Sequence, residues 1–512
     1  MLEKFSLTQF LHGNPRRAKL LFLFLGALLM LSFAPVGWYL LTPFLLLPLL
    51  HGFLKSSPRT AAVYGFWFGA GLFLAGTYWL YISIHVFGQA PLALAIFLML
   101  ALVVIMGLYY AAAGWLTARL CDGKPMRLLL VAPSVWVAIE WVRGWFLSGF
   151  PWMSLGYGQI DSPLAGIAPV LGHYGLSLAV MFSATALLVA AIVRGRLRLP
   201  LAVVALIPWV AGYLLQHIQW TEEAGPAVRT TIVQGGVSQD RKWLPEQYQA
   251  TLAFYRNTLT SNADSQLIVW PEVAIPNVLD LAESYVRNLQ TVIRSNEQTL
   301  LFGILERDLT TQRVYNSAVM LDGVGRQTYR KRHLVPFGEF FPVPDFVREW
   351  MRLMSLPNSD ISPGEAVQPL LRTRDGQKLA VLICYEDAYA AEQLYALPDA
   401  AILINLSNDA WFGDSIAPHQ HLEIARMLAV EVGRPVVRAT NTGISTFIAA
   451  DGSLSSTLRQ FASDSVTEDV MPRQGLTPYA KFGNIPSIAL VLIVIAGFAG
   501  RAYIVRRNQL SD

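Results

Sequence analysis

Seven apolar stretches crowd into the first 220 positions, and an eighth lies near the end of the chain: about Leu20–Ala34, Trp38–Phe53, Ala61–Ile84, Leu92–Leu116, Leu128–Leu147, Ala165–Val193, Leu199–Gln216 and Ile485–Ala502. A helix that crosses a bilayer needs ~20 mostly apolar residues, with a range of roughly 17–25. The first two stretches are short and are separated by Pro35-Val36-Gly37, consistent with tilted helices or a tight hairpin. The start Lys19-Leu-Leu-Phe-Leu-Phe-Leu has the look of a signal peptide, but Pro35 after Ser32-Phe33-Ala34 makes a poor cleavage site, so it reads as an uncleaved anchor.

Charge separates the chain into two materials. Residues 1–220 carry 13 Lys and Arg against 4 Asp and Glu, whereas residues 221–485 carry 23 against 30. The second part has a soluble-domain composition and is mildly acidic, so nucleic-acid binding has no electrostatic basis. The expected division is therefore a membrane domain over 1–220, a soluble domain over 221–484, and a last span with its tail over 485–512.

The basic residues also orient the spans, since short cytoplasmic loops collect Lys and Arg. Fifteen of them fall before span 1, in every second loop and after span 8, while the alternate loops hold only Arg143. Eight spans with both termini cytoplasmic follow, and the 221–484 segment faces outward. Cys121 then belongs to a cytoplasmic loop and Cys384 to the exported domain, so the only two cysteines should not pair. Trp145 to Gln159, with Trp152 and Tyr157, reads as an aromatic interfacial belt. Glu140 and Arg143 near one end of span 5 read as an interfacial ion pair or as lining for a pocket.

Short β-branched runs recur in the second part: Thr230–Val233, Leu267–Trp270, Leu300–Ile304, Tyr315–Leu321, Leu379–Cys384, Ala401–Leu406, Val436–Ala439 and Ile444–Ala449. Helical stretches at Glu246–Thr260, Ala282–Ser295 and His419–Val432 lie among them. This mixture predicts a layered α/β domain.

Three strand ends carry candidate chemistry. Leu267-Ile-Val-Trp-Pro-Glu272 stops at a proline, which cannot continue a central ladder, and so presents Glu272 at the carboxyl edge of a strand. A half-buried carboxylate there suits a general base; a solvated or capping glutamate is the plain alternative. Tyr329-Arg330-Lys331-Arg332-His333-Leu-Val-Pro-Phe-Gly-Glu339 offers three cations beside an apolar turn. They suit a solvated face or a lipid contact, or a lysine aimed at a developing oxyanion. Ala380-Val-Leu-Ile-Cys384-Tyr385-Glu386-Asp387 ends an apolar strand at a cysteine just where acidic residues begin, a thiol that is either packing or an activated nucleophile.

Taken in this order, Trp-Pro-Glu, Tyr-x-Lys-x-His-Leu-Val-Pro-Phe-Gly-Glu and Ile-Cys-Tyr-Glu resemble the Glu–Lys–Cys triad of the nitrilase, or carbon–nitrogen hydrolase, superfamily over roughly Thr230 to Val470. The resemblance implies a four-layer αββα sandwich, catalysis by Glu272, Lys331 and Cys384, and no cofactor or metal. It further implies that Glu339 orients the lysine, that Tyr385 and Glu386 follow the nucleophile, and that Trp243 supports function. With seven preceding spans and one following, the chain is similar to the membrane-bound acyltransferases of that superfamily. That likeness implies a bacterial inner-membrane enzyme, monomeric, with a periplasmic catalytic domain. Its acyl donor would be a phospholipid, and its acceptor the α-amino group of a diacylglyceryl-cysteine at a lipoprotein's N-terminus.

Phe346, Trp350, Leu353 and Met354 line one face of a helix predicted over 342–357, which suggests a lid at the lipid interface. Two other readings stand beside it: a membrane-tethered amidase that uses the same triad to hydrolyse a small soluble amide, and a transporter or membrane scaffold without catalysis.

Overall fold

The computed structural model describes residues 7–340 and 361–511. It falls into two compact units. One comprises the chain up to Gln219 with 414–423 and the residues from Lys481 onward; the other comprises 220–413 and 424–480.

The first unit is helical. Five of its described helices are long and apolar enough to cross a membrane: Leu92–Cys121, Pro125–Arg143, Pro163–Ile192, Arg198–Leu215 and Ile485–Ile504. Three further helices occupy the other predicted spans, at Pro15–Leu29, Leu41–Lys55 and Pro58–Gly76. The first two have only 15 residues each. The third stops at Gly76, short of the expected Ile84, and a separate helical stretch follows at Ile82–Phe87. Apolar side chains such as Phe97, Leu108 and Ile493 point outward from these helices, as expected where the surrounding solvent is lipid. Small residues let the helices approach closely. A Cβ on Gly71 would stand 1.9 Å from the carbonyl oxygen of Leu23, and one on Gly65 would stand 2.1 Å from that of Tyr110.

Two expectations for this unit are corrected. Cys121 is not a loop residue: it is the buried last residue of Leu92–Cys121, and neither cysteine forms a disulfide among the described residues. The 145–159 segment is not a uniform interfacial belt. Trp145, Phe146 and Leu147 are exposed, but Trp152, Tyr157 and Gln159 are buried. Arg143 explains the inward turn, because its guanidinium donates to the carbonyl oxygens of Phe150 and Trp152 and, at 3.0 Å, to Ser154 Oγ. Glu140 accepts instead from Trp136 Nε1 at 2.8 Å and from the Leu155 amide at 2.9 Å.

The second unit is built on two sheets. In the first, Asp464–Val470, Val228–Gln234, Leu267–Val269, Thr299–Arg307, Val314–Leu321 and Arg326–Arg330 follow in that spatial order, with Ile275–Val278 paired to Thr299–Arg307. In the second the order is Leu454–Ser455, Thr446–Ile448, Val436–Thr440, Ile402–Ser407, Lys378–Ile383 and Leu371–Arg372. One apolar core joins Ile232, Val269, Leu301 and Met320 of the first sheet to Val381, Ile383, Ile404 and Val437 of the second, so the sheets stack face to face. The opposite face of the first sheet packs Ile268, Phe302 and Val319 against Tyr255, Leu259, Leu289 and Ile293. Those residues come from the helices Pro245–Ser261 and Glu283–Ser295. Ala417–Val432 makes the crossover between the parallel strands Ile402–Ser407 and Val436–Thr440.

Candidate active site

Glu272 is delivered by a buried strand that stops abruptly. Leu267, Ile268, Val269 and Trp270 are fully buried, and Pro271 ends the run. The chain then turns hard, with Val273 at φ +46°. Gly303 on the neighbouring strand makes room for that turn: a Cβ there would lie 2.4 Å from the Val273 nitrogen and 2.6 Å from Glu272 Cα. Beneath it, Lys242 Nζ donates to the main-chain carbonyl of Glu272 at 3.2 Å. Burial pulls the Lys242 ammonium down to about 8, against a partial offset from Glu272.

Lys331 follows the strand Arg326–Arg330, and its amide donates to the Asn316 carbonyl at 2.8 Å. Its side chain is 1% exposed. Nζ stands 2.9 Å from Glu339 Oε2 and 3.7 Å from Glu272 Oε1. Asn316 Nδ2 closes the arrangement, donating to Glu272 Oε1 at 2.7 Å and to Glu339 Oε1 at 2.9 Å. Burial alone would neutralise the lysine, but Glu339, Glu272 and Cys384 together hold it above its ordinary range, so it stays an ammonium. The three consecutive cations do not form a solvated face. Arg330 pairs with Glu306 at 2.8 Å and lies over the Tyr315 ring. Arg332 lies over the Tyr395 ring and donates its amide to Glu386 at 2.8 Å.

Cys384 comes one residue after its strand, Lys378–Ile383, as the first residue of a helical turn. Its φ is +53°, a left-handed conformation that a side chain adopts only where the surroundings impose it. Burial pushes the thiol above its ordinary range; Glu272 and Asp409 push the same way, while Lys331 and a hydrogen bond with Ser407 oppose them. The thiol is therefore neutral at rest and needs a base. Glu386, fully buried, fastens the turn from below. It accepts from Tyr329 Oη at 2.9 Å, from the Arg332 amide at 2.8 Å and from the Ile383 amide at 2.7 Å.

The fold thus gathers Glu272, Lys331 and Glu339 into direct contact, with the Cys384 thiol inside their field, and puts Glu386 against the same turn. Tyr385 packs beside His333 and Tyr389, with ring centroids 5.8 and 5.1 Å away. Trp243 is half exposed, whereas its neighbour Lys242 is the residue that reaches Glu272. Phe346, Trp350, Leu353 and Met354 lie outside the described residues. Sequence reading missed Asn316 and Lys242. A polar residue in an otherwise apolar strand was the available signal for Asn316, and a cation beside the singled-out tryptophan was the signal for Lys242.

An acid, an ammonium and a thiol gathered at the strand ends of a two-sheet sandwich define a carbon–nitrogen-hydrolase type of domain. Residues 229–477 match the family described as carbon–nitrogen hydrolase. Residues 25–186 match the family described as apolipoprotein N-acyltransferase N-terminal domain. The chain is 39% identical over 498 residues to an apolipoprotein N-acyltransferase of Methylococcus capsulatus, covering 97% of this chain and 98% of that one. It is 40% identical to that of Azotobacter vinelandii, covering 93% of each. The crystal structure of Saccharomyces cerevisiae Nit3, of the nitrilase superfamily, aligns with 49% of this chain and 93% of its own at 19% identity and a TM-score of 0.38. The chain belongs to the apolipoprotein N-acyltransferase family.

Proposed function

We propose that this chain transfers a fatty acyl group from a phospholipid to the N-terminal α-amino group of a diacylglyceryl-cysteine lipoprotein, through a thioester on Cys384. The carrying observation is near-full-length identity to apolipoprotein N-acyltransferases, in a chain whose Lys331 ammonium sits between two carboxylates beside a base-dependent thiol.

Glu272 takes the thiol proton and the thiolate attacks the acyl ester of the phospholipid. The tetrahedral oxyanion that forms is stabilised by the Lys331 ammonium and by the main-chain N–H of Tyr385. The lysophospholipid leaves with the proton from Glu272, and the acyl chain remains on sulfur. The neutral amine of the lipoprotein then attacks the thioester, Glu272 accepts its proton, and the amide product departs as the thiol is restored. A thioester yields to an amine more readily than an oxygen ester does, so the covalent step divides one hard transfer into two easier ones. Glu339 keeps Lys331 from closing a tight pair with Glu272. Glu386 holds the turn on which Cys384 and Tyr385 sit, and Trp243 supports function next to Lys242 in the chain. The reading includes eight spans with both termini cytoplasmic and 221–484 exported, supported by the 15-to-1 distribution of basic residues.

The test is to incubate the purified full-length chain with a phospholipid and weigh the peptide bearing Cys384. A gain equal to one fatty acyl group, discharged by an added lipopeptide amine, is expected. An unmodified Cys384 in a preparation that hydrolyses small soluble amides would overturn the reading in favour of a tethered amidase.

A further inference from the structure

The strand Val436–Thr440 carries a charge in the middle of a buried sheet. Arg438 has no exposed side-chain surface, and neither have Asp387 and Asp409, which it meets at 3.1 Å through Nη1 and Nη2. Burying three charges is costly before any pairing offsets it. Hydrophobic residues of similar volume would often serve the fold as well, so the cluster asks for a role beyond stability.

The register supplies one. Arg438 lies opposite Asn405 on the parallel neighbour, and Asn405 lies opposite Leu382, two residues before the nucleophile. Arg438 Nη1 donates to Asn405 Oδ1 at 2.6 Å, and Asn405 Nδ2 donates to the main-chain carbonyl of Cys384 at 3.5 Å. Asp387 belongs to the Cys384–Ala388 turn itself. The second oxygen of Asp409 accepts from Ser407 Oγ at 3.0 Å, and the Ser407 hydroxyl is the thiol's hydrogen-bond partner. One guanidinium therefore holds the main chain of Cys384 through Asn405 and Asp387, and its sulfur through Asp409 and Ser407.

The charges around the sulfur are Glu272, Asp409 and Lys331, with Glu339 bound to that lysine and Glu386 bound beneath the turn. Arg438 offsets Asp409. Its single charge is shared with Asp387, and without it both carboxylates would stand uncompensated behind the atom that must become a thiolate.

We propose that Arg438 is a positioning residue for acyl transfer: its fork fixes the Cys384 turn to the two strands behind it and offsets part of the carboxylate charge of Asp387 and Asp409 behind the sulfur. This rests on Cys384 as the acyl carrier. The test uses the full-length protein in detergent. It reads the pH dependence of Cys384 alkylation by iodoacetamide, and the formation of acyl-enzyme from dipalmitoyl phosphatidylethanolamine. Arg438→Gln is expected to move the alkylation midpoint up by about one pH unit and to slow acyl-enzyme formation about 100-fold at unchanged phospholipid KM. Adding Asp409→Asn to it should bring the midpoint back while acylation stays slow. Arg438→Lys keeps the charge without the fork, and carries the test where the glutamine variant does not accumulate: acylation falls about tenfold with no change of midpoint. A wild-type alkylation midpoint in Arg438→Gln, or wild-type acylation in Arg438→Lys, overturns the proposal. Wild-type protein that gains no acyl group on Cys384 would defeat the underlying reading instead, and the two failures are distinguishable.

Discussion

The Lys331 ammonium sits nearer to Glu339, at 2.9 Å, than to Glu272, at 3.7 Å. The asymmetry matters, because a base that is already tightly paired with a cation is a weak base. Glu339 takes the close contact, and Asn316 ties the two carboxylates together through one amide nitrogen.

Replacing Glu339 by glutamine removes the nearer charge and leaves Lys331 to close on Glu272. A carboxylate closed on an ammonium accepts a proton less well. Acyl-enzyme formation should fall ~100-fold, within the range of lost general-base catalysis. The loss should persist across the working pH range. Single-turnover acylation checks this, and a wild-type rate would count against the assigned division of labour.

Lys242 gives a stability prediction with a definite sign. Its folded ammonium titrates at about 8, below the ordinary lysine value of 10.5, chiefly through burial. Between those values the unfolded chain binds more protons, so this group makes the fold more stable as pH rises from 8 toward 10.5, by at most ~1.4 kcal/mol per pH unit. Below pH 8 the buried charge is a cost. Lys242→Met escapes that cost but loses the hydrogen bond to the Glu272 carbonyl. The stability difference, methionine variant minus wild type, should be most favourable at pH 7 and decline steadily to pH 10. Thermal unfolding at a series of pH values measures it, and a flat difference would refute the prediction.

How far such a site is legible in sequence depends on how each residue is held. Glu272 and Cys384 stand at the ends of apolar runs, marked by a proline and by a burst of charge, whereas Lys331 stands within three consecutive cations at the end of the strand Arg326–Arg330. Asn316 gave no such mark: it lies inside the strand Val314–Leu321, and only the sheet pairing brings it to Lys331 and both carboxylates. Arg438 likewise reads as an ordinary polar interruption until its register against Asn405 is known. The strand Asp464–Val470 escaped because, among the described residues, it pairs along one edge, antiparallel to Val228–Gln234, and is mostly half exposed. Its polar side chains are what such a position tolerates, and they carry no apolar period. In the helical unit the error ran the other way. Trp152 looked interfacial because tryptophan favours interfaces, but its indole N–H finds a buried partner in Gln420 Oε1 at 3.1 Å.

The placement of Glu272 also depends on a residue with no side chain. Gly303 lies on Thr299–Arg307, and the atoms that a Cβ would meet are Val273 N at 2.4 Å, Glu272 Cα at 2.6 Å and Pro271 O at 2.7 Å. All three belong to main chain, so no rotamer change relieves the contact. Gly303→Ala must therefore push the Pro271–Val273 turn outward, and Glu272 moves with it. A displacement of several tenths of an ångström weakens both the Asn316 bond and the approach to the thiol. Acylation of Cys384 is expected to fall at least tenfold while the protein remains folded. Alkylation of Cys384 by iodoacetamide under alkaline conditions, where solvent hydroxide takes the thiol proton in place of Glu272, should remain close to wild type. Measuring both on the same preparation separates a displaced base from a damaged nucleophile. Equal loss of the two would show that the substitution disturbs the whole sheet rather than the position of Glu272.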